Sequence, residues 1–479
     1  MKPTLPPFSS GPSSFKHLAS QRSDVAWGYL AQFLNIGAGV LLLPAVLRYL
    51  PTEDVGLWFV FITLTSLAQL LEFGFQPTIA RNTAYVFAGA QSLNQQGLPH
   101  EVRAGATVAP WLLADLVRAS RAIYRIVAAI GGLVLLGGGS LYVMSVAAPE
   151  QPLPIVLGAW LLYAGGYVIN FYYGYVNGLM QGRGDVVAAS QVVIVTRASM
   201  LVAGVTALVT GAGLLGLGAS TFLACILGRV VAMRFFLRGD ISQSTARTGD
   251  TRDTMKLLWH NASRLGVVQI GAFLIQRANV LIASSFLGVG AAASFGMTVT
   301  LMMTLSGVAA VILQVRMPRL AAAQAARDMP ALRALYGEVV VVAWTAFVAG
   351  ALVLIFGGEW LLHLMGSKTK LLSPPLLALF GLVMLLEMNH SLAAGYLTTH
   401  NHVPFLRAGL FSGLLICVLS VAVVQQFDVI GLILAQGLVQ LAYNNWKWPR
   451  EARKDLGAGW SELIVLGMCK AIGKPPGRT

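Results

Sequence analysis

The chain alternates between long apolar stretches and shorter polar ones. Each apolar stretch is roughly 20 residues long, the length that an α-helix needs to cross a hydrocarbon core of about 30 Å. The pattern therefore predicts an all-α, polytopic membrane protein with about twelve transmembrane helices. The predicted spans are 25–47, 55–73, 122–145, 155–180, 187–210, 213–237, 262–286, 292–315, 338–357, 374–397, 405–424 and 429–446.

The two halves of the chain resemble each other. Residues 40–56 match residues 280–296 in a Val-Leu pair and a later glycine, and residues 121–124 match residues 333–336. Each half holds six spans, so both halves have the same orientation in the membrane. In transporters built from such parallel repeats, the substrate site lies between the halves. We predict a disordered tail at 1–24, six-helix lobes at 25–238 and 239–446, and a tail at 447–479 with an interfacial helix at 461–472.

Composition and charge support a membrane protein and predict its orientation. The chain is 56% hydrophobic and 11% charged, whereas soluble domains carry about 25% charged residues. A water-soluble enzyme is therefore excluded. The loops on one predicted face hold 25 Lys and Arg residues and those on the other hold three. The positive-inside rule accounts for the net charge of +14, so both termini are predicted in the cytoplasm and no nucleic acid is expected as a partner.

Motifs for catalysis and for cofactors are lacking in the sequence. There is no P-loop and no H-E-x-x-H pattern, and the predicted loops opposite the basic face are too short for a catalytic domain. The three cysteines are far apart and give neither a disulfide framework nor a metal-ligand spacing. We expect no enzymatic activity, no cofactor and no metal. The cysteines are Cys225, Cys417 and Cys469.

Two arginines lie near the middle of predicted spans. Arg197 and Arg277 are too deep to reach an interface easily, and a charge at that depth costs about 2.5–3.5 kcal/mol on insertion scales. One interpretation is a cationic cavity that binds a diphosphate or an acidic sugar, because guanidinium groups match phosphate oxygens. The alternative is a structural ion pair with Glu387, a carboxylate placed mid-membrane that is also our candidate for ion coupling.

Several amide side chains lie within the predicted spans and share helix sides with an arginine or with each other. Gln269, Gln276 and Arg277 share one side of the seventh span, and Gln32 and Asn35 share a side of the first span. Amides in a lipid environment face protein or water. They would bind sugar hydroxyls or hydrogen-bond between helices, and the sequence leaves both open.

The fourth span is strongly aromatic and polar for its predicted depth. Asn170 and Tyr172 lie near its middle, which favours a path for a glycan over an interfacial belt. Gly174, Gly178 and Gly182 recur every four residues, a spacing that predicts close helix packing.

The order of several motifs resembles a known family of transporters. Residues 50–58 (LPTEDVGLW) and 71–81 (LEFGFQPTIAR) are similar to the start of the polysaccharide flippases of the multidrug/oligosaccharidyl-lipid/polysaccharide (MOP) exporter superfamily. Residues 286–290, 317–320 and 332–336 resemble their second half. The resemblance extends over nearly the whole chain, and its specificity comes from the order of loose motifs.

The resemblance implies two six-helix lobes around a V-shaped cleft and transport by alternating access. It implies a bacterial inner membrane and, as in Wzx-type O-antigen flippases, a lipid-linked oligosaccharide on undecaprenyl diphosphate that moves from the inner to the outer leaflet. Arg81, in the second motif, joins the candidate substrate-binding residues. Arg277 departs from the family, since relatives often carry an acidic residue there.

Expected partners are the lipid-linked substrate, membrane lipids and polysaccharide assembly enzymes, with the product left open between O-antigen, capsule and exopolysaccharide. The main alternative function is a cation-coupled multidrug exporter of the same superfamily. Such an exporter would want buried carboxylates, and the first span has none. A membrane polymerase or ligase is disfavoured by the short loops.

Overall fold

The structure, a computed structural model, describes residues 13–72, 74–93, 109–238, 251–400 and 405–471. All regular elements in these ranges are helices. A 3₁₀ turn at Leu70–Glu72 follows α2, and a π-helical stretch at Leu133–Gly139 joins α4 to α5. The helices are α1 Ser13–Tyr49, α2 Thr52–Gln69, α3 Phe75–Phe87, α4 Pro110–Gly132, α5 Ser140–Val146, α6 Leu153–Tyr172, α7 Gly174–Arg183, α8 Val186–Val209, α9 Gly213–Leu237, α10 Thr251–Gln276, α11 Ala278–Phe286, α12 Gly288–Ala325, α13 Met329–Leu364, α14 Pro374–Leu397, α15 Leu406–Ala442, α16 Asn444–Leu456 and α17 Trp460–Ala471.

The predicted polytopic helical fold is confirmed. Within the described residues, nine helical segments are long and apolar enough to cross a membrane, and the last of them runs from Leu406 to Leu456. That segment turns back on itself at Asp428, which has a left-handed φ of 53°. Gly431 consequently packs against Val423, eight residues earlier, so this segment provides two spans. α1 and the α10–α11 pair match the remaining predicted spans.

Two predicted spans are broken inside the membrane. The fourth is divided at Tyr173 into α6 and α7, and the seventh is divided at Arg277 into α10 and α11. Arg277 has φ −123° and ψ −31°, outside the helical range. Non-helical backbone at membrane depth is tolerated where it is buried in protein or lines a cavity. Both breaks border the polar clusters described below.

The ends of the chain are more helical than the sequence pattern predicts. α1 begins at Ser13, so the predicted tail is wrong for residues 13–24, and residues 1–12 lie outside the described part. The apolar helix expected at 461–472 is confirmed as α17, although its interfacial position stays a prediction. α17 packs on α13 so closely that a Cβ on Gly467 would lie 2.2 Å from the Gly337 oxygen. The long loop predicted at 73–121 contains α3 and the first turns of α4.

Helix pairing repeats between the lobes. α1 packs along α8 in the first lobe, and α10 packs along α15 in the second. Tyr124 on α4 and Tyr336 on α13, which end the two matching tetrapeptides, are both fully buried. We call the end of the bundle that holds the helix boundaries at 49–52, 146–153, 286–288 and 364–374 the far face, and the opposite end the basic face.

The lobes meet at the far face through α2 and α12. A Cβ on Gly56 would lie 1.9 Å from the Val289 carbonyl oxygen, and one on Gly296 would lie 2.8 Å from Phe59 Cβ. These two glycines are the ones that match in the sequence repeat. Because neither helix carries a side chain at these points, the backbones approach closely and the lobes are held together there.

Polar contacts reinforce the closure of the far face. The Tyr142 hydroxyl on α5 donates to the Leu281 carbonyl oxygen at 2.7 Å and lies 2.8 Å from the Ser285 hydroxyl, both on α11. The turn after α1 binds the loop after α13, because Thr52 donates to the Lys368 carbonyl and the Lys368 amide donates to the Leu47 carbonyl. Helices of both lobes therefore seal this end of their interface.

The close approach of α2 and α12 predicts a specific sensitivity to side-chain size. Gly56→Ala should lower the melting temperature of the purified protein by several degrees, since overpacking costs about 1–3 kcal/mol. Gly290→Ala is the matched control on α12, because nothing lies within 4 Å of its Cβ position. Thermal unfolding followed by size-exclusion chromatography measures both. Equal melting temperatures for the two variants would show that the glycine contact does not hold the lobes together.

Candidate functional site

The break at Tyr173 opens a polar cavity inside the first lobe, which we call the N-lobe cavity. Its volume is about 110 Å³. α7 forms one wall, and its predicted glycine packing is confirmed because Gly178 and Gly182 lie against the backbone of α3. The polar residues that line the cavity are Gln69, Glu72, Gln76, Tyr124, Tyr167, Asn170, Asn177 and Arg229.

Opposite charges face each other in the N-lobe cavity. The Tyr124 hydroxyl donates to Glu72 Oε1 at 2.6 Å. Arg229 donates from Nη1 to the Tyr173 carbonyl oxygen and to Asn177 Oδ1, each at 3.3 Å. That carbonyl also accepts from the Val176 amide at 3.1 Å, in the first turn of α7, so the arginine adds a second donor to it. One carboxylate and one guanidinium leave this cavity near neutrality.

The sequence interpretation overlooked most of this cavity. Asn170 was anticipated and lines it, with Oδ1 buried and without a hydrogen-bond partner among the described residues. Glu72 lies at the end of the second predicted span and Arg229 near the end of the sixth, so their depth in the sequence pattern does not single them out. The available signals were the four-residue glycine spacing and the Leu-Glu-Phe-Gly motif, in which a carboxylate directly follows an apolar run.

Arg197 belongs to a second cluster, between α1 and α8. Its Nε and Nη2 donate to Asn35 Oδ1 at 3.2 and 2.9 Å. Asn35 also lines a cavity of about 360 Å³ with Gln32, Gln181 and Ser190. We call this the α1–α8 cavity. The structure therefore brings three predicted site residues together, Gln32, Asn35 and Arg197.

Arg277 lies at the other helix break, immediately before α11. It lies near Tyr163 and Tyr167 on α6, in the first lobe. Tyr163 itself is buried among Trp58, Phe61 and other aromatic rings. The first backbone amides of α11 add partial positive charge beside the guanidinium.

Glu387 lies apart from both arginines, in a cavity of the second lobe that we call the C-lobe cavity. This cavity has a volume of about 250 Å³ and is also lined by Gln276, His390, Ser391 and Asn444. Glu387 Oε1 accepts from Gln436 Nε2 at 2.7 Å. The alternative of an ion pair between Glu387 and Arg197 or Arg277 is therefore wrong, because an amide on α15 holds the carboxylate and no ion pair within the described residues joins it to either arginine.

The break at Arg277 also separates residues expected on one helix side. Gln276 lines the C-lobe cavity, whereas Arg277 faces α6 and Gln269 is exposed. Gln269 and Gln276 do share a side, because both lie in the continuous helix α10. Arg277 does not continue that side, because the helix is interrupted at this residue. Tyr172 is 37% exposed and stacks edge-on against Tyr173, with ring centroids 4.8 Å apart. Arg81 is exposed on α3. Neither of these two lines a cavity described above.

The described residues do not form a metal-binding cluster. Across the described ranges, no group of three or more His, Cys, Asp or Glu residues is placed to hold a metal ion. The polar groups in these clusters are guanidinium, amide and phenol groups, which are suited to binding a ligand by hydrogen bonds.

No protein-family model and no curated protein matches the sequence. Several solved structures are similar to this chain in fold. One, described as the inward-facing conformation of a multidrug resistance MATE family transporter of the MOP superfamily, has a TM-score of 0.69 at 13% identity over 91% of this chain and 98% of that chain. The chain has the MATE fold.

Two further structures show the same fold. The MATE multidrug transporter DinF-BH, solved in complex with a ligand, has a TM-score of 0.59 at 14% identity, over 91% of this chain and 97% of that one. A MOP superfamily transporter from Pyrococcus furiosus, described as having a binding pocket of reverse polarity, has a TM-score of 0.52 at 14% identity, over 91% and 96%. The fold agrees with the superfamily that the sequence resembles, and the chain is a multi-pass membrane protein.

Glu387 is held by a neutral side chain, that of Gln436. We therefore predict that the amount of the Glu387→Gln variant in the membrane stays within about twofold of wild type, because a glutamine oxygen still accepts from Gln436. Arg316→Ala is the contrasting variant, because Arg316 pairs with the buried Glu338 in the same lobe. Removing that partner leaves a buried charge unpaired, at a cost of about 3–5 kcal/mol. Fluorescence of a tagged protein in isolated membranes measures abundance. A large loss for Glu387→Gln would mean that its negative charge is structurally required.

Proposed function

We propose that this protein is a flippase that moves an undecaprenyl-diphosphate-linked oligosaccharide from the inner to the outer leaflet, for surface polysaccharide biosynthesis. The observation that carries the proposal is the presence of two arginines, Arg197 and Arg277, in membrane-spanning segments. Both guanidinium groups lie at membrane depth beside neutral amide and phenol groups, and no ion pair involves either one within the described ranges. Their positive charge remains for an anionic substrate.

The chemistry of the substrate fits the clusters. A diphosphate has several oxygens that accept from a guanidinium fork. Sugar hydroxyls both donate and accept, and the amides of Gln32, Asn35 and Gln181 in the α1–α8 cavity supply matching groups. The undecaprenyl chain would stay in the bilayer. The N-lobe cavity, with its own carboxylate balancing Arg229, is less suited to hold a diphosphate.

The orientation and the closed far face are consistent with loading from the cytoplasm. If the basic face is cytoplasmic, as the distribution of Lys and Arg predicts, the contacts at Gly56, Gly296 and Tyr142 close the lobe interface toward the other leaflet. Transport would require these contacts to break while the lobes close at the basic face. We accordingly propose a bacterial inner membrane with both termini in the cytoplasm, and polysaccharide assembly enzymes as partners.

A second candidate function is a cation-coupled multidrug exporter. Similar solved structures are described as multidrug transporters, and the described residues include two carboxylates in cavities, Glu72 and Glu387. Such carboxylates could bind a coupling ion or a cationic drug. The arginines argue against a cationic drug, because they would repel it.

The flippase proposal predicts that Arg197→Ala and Arg277→Ala each reduce glycan export at least tenfold while the protein still inserts. Arg→Lys variants should retain part of the activity, because charge remains but bidentate geometry is lost. The measurement is the pool of lipid-linked oligosaccharide in host cells, which should accumulate facing the cytoplasm. Arg234→Ala, an exposed arginine near the end of α9, is the control and should export normally. Full export by both alanine variants at matched membrane levels would refute the proposed substrate site.

The exporter alternative predicts a different outcome in the same host. Deleting the protein would raise drug sensitivity and leave the lipid-linked pool unchanged, and Glu387→Gln would reproduce that sensitivity while Arg197→Ala would not. Growth in graded concentrations of cationic dyes, with the pool measured in parallel, separates the two functions. Unchanged sensitivity together with an enlarged pool would exclude the exporter.

A further inference from the structure

A cavity on the outer side of the second lobe takes no part in the proposed transport site. It lies between α13, α14, α16 and α17, has a volume of about 320 Å³, and we call it the α16–α17 cavity. Its helices pack mainly against others of the second lobe, whereas α2, α10, α11 and α12 make the contacts between lobes. The lining residues used below are Trp344, Asn389, Asn445, Trp446, Arg450 and Arg453.

Positive charge in this cavity has no carboxylate to balance it. Arg450 and Arg453 are one turn apart on α16 and share a face of the helix. The nearby carboxylates are engaged elsewhere. Glu451 pairs with Lys447 and Lys454, Glu462 pairs with Arg333, and Asp455 accepts from the Tyr396 hydroxyl at 2.5 Å. Within the described part of the chain, neither Arg450 nor Arg453 forms an ion pair. An anion would therefore meet two available guanidinium groups.

Arg453 is held in place by an aromatic ring. Its guanidinium carbon lies 5.1 Å from the centroid of the Trp460 ring, a cation–π contact that fixes its position. Trp460 in turn packs against Trp344, with centroids 5.7 Å apart. The Nε of Arg453 is buried and has no hydrogen-bond partner among the described residues. The side chain is thus positioned without using its hydrogen-bonding capacity.

Asn445 supplies a second unused donor. This residue is only 6% exposed, and its Oδ1 pairs with His390 Nδ1 at 2.8 Å. Its Nδ2 is buried without a partner in the described structure. Asn389 differs, because its Oδ1 already accepts from Trp344 Nε1. A buried N–H group without an acceptor is unfavourable, so the cavity calls for a ligand that provides acceptor oxygens.

The cavity lining also contains apolar side chains, and these continue outside it. Trp344, Leu385 and Leu386 belong to this apolar part of the lining. From there, exposed apolar side chains extend toward the far face, at Val348 and Leu352 on α13 and at Leu382 on α14. Side chains four residues apart on a helix lie on one face, so 344, 348 and 352 form a continuous strip. A ligand with an anionic head and alkyl chains matches this combination.

We propose that the α16–α17 cavity binds one anionic phospholipid from the leaflet at the basic face. The lipid phosphate accepts from Arg450, Arg453 and Asn445 Nδ2, and an acyl chain lies along Trp344, Val348 and Leu382. Tryptophan and arginine are both typical of the level of lipid headgroups. The bound lipid would link α17 to the span helices α13 and α14.

The test is native mass spectrometry of the full-length protein, purified in detergent and titrated with phosphatidylglycerol. The double variant Arg450→Gln/Arg453→Gln should bind the first lipid at least tenfold more weakly than wild type. The control Arg234→Gln/Arg238→Gln removes the same charge from exposed positions of the other lobe and should bind normally. Retention of wild-type affinity by the first variant, or an equal loss by the control, would overturn the proposal.

A second variant and two competitors make the test specific for a built lipid site. Asn445→Asp keeps an oxygen for His390 but places a negative charge beside the phosphate, so it should weaken binding as well; unchanged binding would contradict the role of Nδ2.

Inorganic phosphate in tenfold excess should not displace the lipid, because it lacks the acyl chain. Displacement by phosphate alone would mean a free-anion site, and preference for undecaprenyl diphosphate over phosphatidylglycerol would mean a substrate site; either result refutes the proposal. Monodisperse chromatography and a wild-type melting temperature control for folding.

Discussion

Backbone groups within a bilayer have no water to bind, and this constraint shapes the whole protein. It forces every crossing segment to be helical, and it makes any interruption a polar site. At Tyr173 the carbonyl oxygen accepts from both the Val176 amide and Arg229, whose charge faces Glu72 across a small cavity. At Arg277 the interruption places a guanidinium at the start of a half-helix. Both breaks thus place polar or charged side chains beside an interrupted helix, the first of them inside the first lobe.

The lobes are joined by different kinds of contact at different depths. Near the far face, Gly56 and Gly296 allow α2 and α12 to touch through their backbones, and Tyr142 adds hydrogen bonds to α11. Deeper in the membrane, Arg277 approaches Tyr163 and Tyr167 across the interface. A rearrangement of the lobes must therefore break a tight apolar contact and shift a charged one. That coupling connects closure of the far face with the environment of the proposed substrate arginine.

Charge is distributed so that the three cavities differ in character. The N-lobe cavity contains both a carboxylate and a guanidinium, the C-lobe cavity contains Glu387 held by an amide, and the α1–α8 cavity adjoins Arg197 with amides alone. The outer α16–α17 cavity is lined by both cationic and apolar side chains. An anionic substrate and an anionic lipid would thus be drawn to separate places, one beside Arg197 in the first lobe and one in the α16–α17 cavity of the second.

Hydrophobic periodicity by itself determined the helical class and the number of spans, because burial of roughly 20 apolar residues per span depends only on local composition. The four-residue spacing of glycines predicted the close packing of α7. Periodicity also located Arg197, Arg277, Asn170 and Glu387 at membrane depth. Tertiary structure alone decided their partners. Asn35 is 162 residues from Arg197 and Gln436 is 49 residues from Glu387, so no local pattern links them. The break at Arg277 was likewise decided by the tertiary structure, since a helix interruption depends on long-range packing that periodicity does not record.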